Sequence, residues 1–257
     1  MSRRIRLFLG SKATCSYIAD RDMANAYADP EISYDKRLHS SLNAMGFRRS
    51  SGFLYQPHCG SCKACQSLRL PVAEFHSKRR HRRILRRNAD VTMRWRPGEY
   101  RDYHYQLYER YLNSRHANGG MDDSDPQKYR EFLISPWANT RLLEFRYSIA
   151  EPESSTRPGS RSELLGVAVM DELSDGLSAV YSFYDPELTA RSPGTLMILK
   201  MVEATQALGL PHLYLGYWAA EASRMTYKSD FTPLQLFDGQ HWKSYRAGEP
   251  LPAERQI

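Results

Sequence analysis

Hydrophobic and polar positions are most regularly patterned between residues 164 and 218. Residues 165–170 (Leu-Gly-Val-Ala-Val-Met) and 178–184 (Ser-Ala-Val-Tyr-Ser-Phe-Tyr) are rich in β-branched and aromatic side chains, and Ser174, Asp175 and Gly176 supply turn chemistry between them. The pattern predicts a hairpin. Residues 186–191 read as a loop, followed by Ser192 as a helix N-cap and Pro193 at the first helical position, where its missing N–H is no loss. The helix should run to about Leu208. Met197, Met201, Ala204 and Leu208 share one face, Ile198, Leu199 and Val202 widen it, and Gly209 stops it. Residues 212–216 then return as a strand. A helix joining two strands of one sheet makes a right-handed crossover, which places its N-terminus at the corner after Tyr184, Asp185 and Pro186. Free backbone N–H groups there favour an anion or a developing oxyanion. This unit decides architecture; a buried hairpin and a core helix without chemistry give the same pattern.

The flanking chain reads as attachments. Residues 35–45 carry Leu38, Leu42 and Met45 at helical spacing and end at Gly46; residues 47–55 form a hairpin with Arg48 and Arg49 beside aromatic residues. Residues 70–75 are a strand, and Ser77 caps a helix over 78–87. An aromatic helix spans 99–116, with Tyr103, Leu107, Tyr111 and Leu112, and a shorter one spans 126–134 behind Asp125. The acidic cluster at 122–125 lacks EF-hand spacing, so a cap is the reading and calcium is rejected. Residues 142–149 are a strand, 150–162 a tolerant excursion, 219–227 a helix presenting Arg224 and Lys228, and 248–257 a fraying end. The class is α+β: a small cysteine-containing domain with the basic helix over 1–90, and a mixed-sheet domain over 91–257.

With 257 residues, 41% of them hydrophobic, the chain has ample material for a packed core. No apolar run is long enough for a bilayer and residues 5–9 are too short for a leader, so a cytoplasmic protein without membrane contact is expected. Net charge is +7, and Lys78, Arg79, Arg80, Arg82, Arg83, Arg86 and Arg87 lie within ten residues that hold no acid. The basic balance therefore belongs to one patch. As a helix, the segment gathers Arg79, Arg83 and Arg86 in one stripe and Arg80 and Arg87 in another, with Ile84 and Leu85 turned inward. Such a face suits a phosphate backbone.

All four cysteines lie in the first quarter, three of them as Cys59-x2-Cys62-x2-Cys65, with Cys15 remote. In a cytosolic chain this spacing speaks for metal before disulfide: Cys15 can complete a tetrahedral zinc set or one corner of an iron–sulfur cluster, with His58 as a substitute ligand. Buried or reactive thiols without metal are the alternative.

The motif Tyr-x-Pro-His-Cys-x2-Cys-x-Ala-Cys-x3-Arg at 55–69, Arg115-His-x2-Gly-Gly-Met at 115–121, Ala-Val-Tyr-Ser-Phe-Tyr-Asp-Pro at 179–186, and Leu-Tyr-Leu-Gly-Tyr-Trp at 213–218 followed by Met225-x-Tyr-Lys228 resemble the arginyl-tRNA-protein transferase family, its bacterial leucine-transferring branch above all. The resemblance runs from about Cys15 to Trp242. It implies transfer of leucine from leucyl-tRNA to the N-terminal amine of proteins beginning with Asp or Glu, which marks them for degradation by the N-end rule. It also implies a Gcn5-related (GNAT-like) acyltransferase fold for the second domain and, through the cysteines, a family link to an iron–sulfur cluster, with zinc and no metal both open. No cofactor is required for the transfer itself. Coenzyme A users cradle pyrophosphate with several glycines, whereas residues 191–196 (Arg-Ser-Pro-Gly-Thr-Leu) offer one, which favours a tRNA ester as donor.

On this reading Asp185 contacts an ammonium group at the corner, with Tyr184 and Tyr217 beside the chemistry. Lys228, then Arg115 and Arg191, are candidates for the acceptor's acidic side chain, and Tyr181 and Trp218 for the wall of a leucyl or adenine pocket. Two other classes compete: a non-catalytic metal-ribbon RNA-binding protein and a coenzyme A-dependent acetyltransferase.

Overall fold

A computed structural model describes residues 4–115, 125–150 and 160–255 of the chain. In chain order the elements begin with β1 (Leu7–Leu9), β2 (Ala13–Thr14), β3 (Asp22–Met23), β4 (Asn25–Ala28), α1 (Lys36–Ala44), β5 (Arg48–Ser50), β6 (Phe53–Pro57) and β7 (Gln66–Pro71). Next come α2 (Arg79–Arg87), β8 (Thr92–Pro97), α3 (Asp102–Arg115), α4 (Pro126–Leu133), β9 (Thr140–Ala150), β10 (Ser160–Glu172) and β11 (Gly176–Tyr184). A 3-10 helix at Pro186–Arg191 leads to α5 (Pro193–Ala207), β12 (His212–Trp218), β13 (Leu234–Phe237) and β14 (Trp242–Tyr245). The chain forms two compact units, each discontinuous in sequence. One holds Met1–His76, Glu172–Val180 and Thr205–Ile257, and the other holds Ser77–Asp171 and Tyr181–Ala204. The basic helix thus groups with residues after 90, not with the cysteines as the contiguous 1–90 division expects.

In the first unit β1, β4, β6 and β5 make an antiparallel sheet, and β14, β13, β7 and β12 follow in that order in a mixed one. The start of β11 joins β12 in parallel, pairing Gly176 with His212 and Ser178 with Tyr214. Asp35 caps α1 by accepting from Leu38 N at 2.7 Å. The amphipathic reading of α1 needs one correction: Met45 is 58% exposed, and His39, Ser40, Leu42 and Asn43 are buried instead. The helix predicted over 219–227 is absent. Backbone bonds run from Ala222 N to Ala219 O, Met225 N to Ala222 O, Lys228 N to Met225 O and Phe231 N to Lys228 O. Each step spans three residues, the spacing of 3-10 turns, and Ala219, Ala222, Met225 and Phe231 fall on the covered side. Nor is the whole C-terminal end loose: Arg255 N donates to Lys63 O, and Gln66 Nε2 to Pro252 O at 2.8 Å.

In the second unit β9 and β10 form a long hairpin whose loop, like the excursion predicted over 150–162, lies largely outside the described residues; β8 pairs antiparallel with β9. Asp125 caps α4 as expected, accepting from Gln127 N at 2.7 Å. α2 opens after Lys78 rather than after Ser77. Aromatic rings fill the core edge to face, with centroids 5.1 Å apart for Tyr108 and Tyr129 and 5.4 Å for Tyr108 and Phe183. Beneath β9 the fully buried Glu144 accepts from Tyr103 Oη at 2.6 Å and Arg96 Nε at 3.2 Å, and lies 2.9 Å from His104 Nε2. No helix among the described residues is long and apolar enough to cross a membrane.

Candidate functional site

The most distinctive feature of the first unit arises from one residue. Along β12, Tyr214 pairs with Arg69 of β7 but Tyr217 pairs with Ser67, so β12 carries one extra residue there, a β-bulge. Gly216 absorbs it with φ +76°, a conformation that a side chain resists. The parallel register with β11 stops at Tyr214, just before the bulge. Where the two strands part, a cavity of about 170 Å³ opens, lined by Ser178, Ala179 and Val180 on one side and Leu215, Gly216 and Tyr217 on the other, with Tyr17, Arg48, Arg49, Tyr55, Met225 and Lys228 completing it.

Three of these side chains are cationic and none is a carboxylate. Lys228 is held by its Nζ donating to Tyr217 O at 2.6 Å, and burial, reinforced by the Arg48 charge, pulls its pKa down to about 8. Arg48 is 4% exposed; its Nη1 donates to Asn43 O, Asn43 Oδ1 and Phe47 O at 3.0, 3.1 and 2.6 Å. The rings of Tyr214, Tyr217 and Trp242 lie 5.1, 5.9 and 6.0 Å from its guanidinium carbon. Burial lowers its pKa as well. Tyr217, expected beside the chemistry, is buried with its hydroxyl turned to Gly46 O at 2.9 Å and Tyr55 O at 3.1 Å, and burial raises its pKa far above the usual tyrosine range. It is an anchor and not a proton donor. Trp218 is likewise core.

The second unit holds the other candidates. Arg79, Arg80, Arg82, Arg83, Arg86 and Arg87 lie on α2 and Lys78 precedes it half-buried, so the cationic face exists as read; His81, rather than Ile84 or Leu85, is the fully buried residue. The C-terminal end of α2 grips the loop that leads into α5: Arg87 Nη1 donates to Ala190 O at 2.6 Å and Asn88 Nδ2 to Arg191 O at 3.0 Å. Arg191 is committed here, forked onto Asp90 at 2.9 and 3.0 Å and lying over the Tyr147 ring, so it is not the free cation that an acceptor carboxylate needs. Asp185 caps the 3-10 helix through Glu187 N at 3.0 Å and pairs with Arg110 Nη2 at 3.3 Å. Ser192 is left-handed, φ 54°, in place of the extended cap expected of it. Tyr184 lies across the first turn of α5, where a Cβ on Gly194 would be 3.6 Å from its ring. Tyr181 is half-buried and packs edge on against Phe132 at 5.3 Å. The side chain of Arg115, and residues 116–121 of its motif, lie outside the described residues.

The four cysteines are half-buried and free of disulfides. Burial pushes the Cys65 thiol up to about 11, and the charges of Cys59, Cys15 and Cys62 add to it, so the sulfurs share one neighbourhood. Cys62 Sγ accepts from Arg21 Nη1 at 3.4 Å. Yet among the described residues no three His, Cys, Asp or Glu side chains form a ligand set. No chemistry is routed through a metal at these thiols.

Of the predicted site residues, Lys228 and Tyr217 share the cavity, whereas Tyr184, Asp185 and Arg191 fall in the second unit. Arg48 was not foreseen as a site residue. Its only signal is two adjacent arginines inside an aromatic strand.

A family model described as "Arginine-tRNA-protein transferase, C terminus" matches residues 103–238, and its companion, "Arginine-tRNA-protein transferase, N terminus", matches residues 13–83. Proteins named aspartate/glutamate leucyltransferase are similar over most of their length. That of Nitrosococcus oceani is 43% identical over 91% of this chain and 94% of its own. That of Chromohalobacter salexigens is 41% identical over 95% and 94%. That of Stenotrophomonas maltophilia is 43% identical over 94% and 93%. A solved structure, "The structure of L-PGS from Bacillus licheniformis", overlays with a TM-score of 0.43 at 10% identity, covering 83% of this chain and 68% of that one. With both family models in sequence order and relatives matched nearly end to end, the chain belongs to the arginine-tRNA-protein transferase family.

Proposed function

We propose that this chain moves an amino acid, leucine, from the ester of a charged tRNA to the N-terminal amine of proteins that begin with Asp or Glu, and that it does so in the cytoplasm. The relatives' shared name supports both the donor and the acceptor. The observation that carries the reading is the cationic cavity between β11 and β12, joined in sequence by α5. Parallel strands that part at a bulge are the observation in favour of a GNAT-like fold.

The step needs little machinery because the ester is already activated. The amine lone pair attacks the ester carbonyl, the new C–N bond forms, and the C–O bond to the terminal ribose breaks as the amine proton passes to the departing oxygen. Holding the two reactants together supplies much of the rate. The arginines of α2 hold phosphates without reading sequence. Asp185 shapes the corner through its cap and its ion pair with Arg110, and an incoming ammonium group competes with that arginine for it. Lys228 faces the acceptor's carboxylate. The test mixes the full chain with tRNA charged with leucine, arginine or phenylalanine and with a peptide starting in Glu. Leucyl-tRNA alone should extend the peptide by one residue; extension by no charged tRNA overturns the reading.

A further inference from the structure

We infer that the cavity at the β12 bulge is a carboxylate receptor in which Arg48, together with Lys228, selects the acidic first side chain of the acceptor protein. This rests on the transfer reading above and names the residue that gives it specificity.

The argument starts from Arg48. Its bonds to Asn43 and Phe47 all use Nη1, while Nε and Nη2 are buried and have no hydrogen-bond partner. Nε and Nη2 form the side edge of the guanidinium fork, whose two parallel N–H groups match the two oxygens of a carboxylate. A chain rarely buries such donors unsatisfied, because the desolvation is uncompensated. Nor is the charge balanced from within: the groups acting on Arg48 are Tyr217, Tyr214, Tyr55 and another cation, Arg69. Lys228 adds a second cation, and after its bond to Tyr217 O the ammonium retains N–H groups to spend. Three cations, Arg48 and Arg49 buried and Lys228 half-buried, with no acid in the lining describe a site that awaits an anion. A volume of about 170 Å³ leaves room for an Asp or Glu side chain.

The experiment uses the full chain, leucyl-tRNA and peptides that differ only in their first residue: Glu, Gln, Asp or Asn. The readout is the ratio of kcat/KM for Glu over Gln, with circular dichroism confirming that each variant folds. Wild type should favour Glu. Lys228→Met and Arg48→Lys, which keeps the charge but loses the fork, should each lower the ratio on the order of tenfold to a hundredfold, through KM for the Glu peptide, the size expected for a charged hydrogen bond. Arg48→Met should lower it further. Should the Arg48 variants fail to fold, Lys228→Met alone decides. Folded variants that keep the wild-type ratio overturn the inference while leaving the transfer reading intact. A wild type that extends none of the four peptides overturns the transfer reading itself.

Discussion

Lys228 sits where burial and the Arg48 guanidinium both oppose its charge, and its proton is released at about 8 where an ordinary lysine holds it to 10.5. The sign of the consequence is fixed by which state binds more protons. Between those two values the unfolded chain keeps the proton that the folded chain has lost, so this residue makes stability rise with pH across that window. Function runs the other way, because the ammonium that meets the acceptor is present below about 8 and absent above it. KM for a Glu-initiated peptide should therefore climb as pH passes about 8, while a Gln-initiated peptide shows no such rise; a flat Glu profile in steady-state kinetics contradicts the assignment. Glu144 is the opposite case. Burial alone would raise its pKa, but the hydrogen bonds from Tyr103 and His104 and the Arg96 charge outweigh it and hold the carboxylate below its usual range. Replacing it by Gln leaves Arg96 without a counter-charge, and urea unfolding should show a loss of about 3 kcal/mol. Lys228 is legible in the sequence through its motif, whereas Arg48 and Glu144 are not. A period of two marks which faces of a strand alternate, but gives no sign that Arg48 and Arg49, on opposite faces, are both covered.

Elements with a strong period were read well, and elements held by local exceptions were not. The apolar circumference of α5 and the flanking Pro193 and Gly209 announced the helix within a residue of its observed end, and β11 and β12 followed from their β-branched and aromatic content. The helix expected over 219–227 is absent because buried positions spaced by three fit a 3-10 series as well as they fit a helix. The bulge in β12 had a signal, since a glycine interrupts an otherwise aromatic strand. Its importance can be measured: Gly216→Ala forces a side chain into the left-handed region at a cost of about 1–2 kcal/mol, with the new methyl 3.8 Å from Lys228 Nζ. Thermal unfolding should register the cost, and KM for Glu peptides should rise. The face of α2 offers a separate test. Arg79→Glu, Arg83→Glu and Arg86→Glu change surface residues, so folding should hold while tRNA affinity falls and the slope of log affinity against log salt shrinks by roughly one unit for each phosphate no longer neutralised. An unchanged slope removes α2 from the tRNA interface.

For the molecule as a whole, the boundary drawn at residue 90 illustrates what a linear reading misses. Composition changes there, with cysteines and the arginine run before it and the sheet-rich chain after it, but the compact units are assembled from segments distant in sequence. Residues 205–257 return to the unit that holds the cysteines, and β11 contributes residues up to Val180 to one unit and those from Tyr181 to the other. Packing partners, not neighbours along the chain, decide that division. The class α+β and the family motifs were readable because they depend on order along the chain; the receptor depends on side chains from β5, β12 and the 3-10 turns meeting around a bulge. The most direct measurement combines both levels: leucyl-tRNA, labelled in the amino acid, offered to an equimolar mixture of Asp-, Glu-, Asn- and Gln-initiated peptides. Label should appear on the Asp and Glu peptides with the amides far behind. Label spread evenly over all four, or on none, would contradict the account.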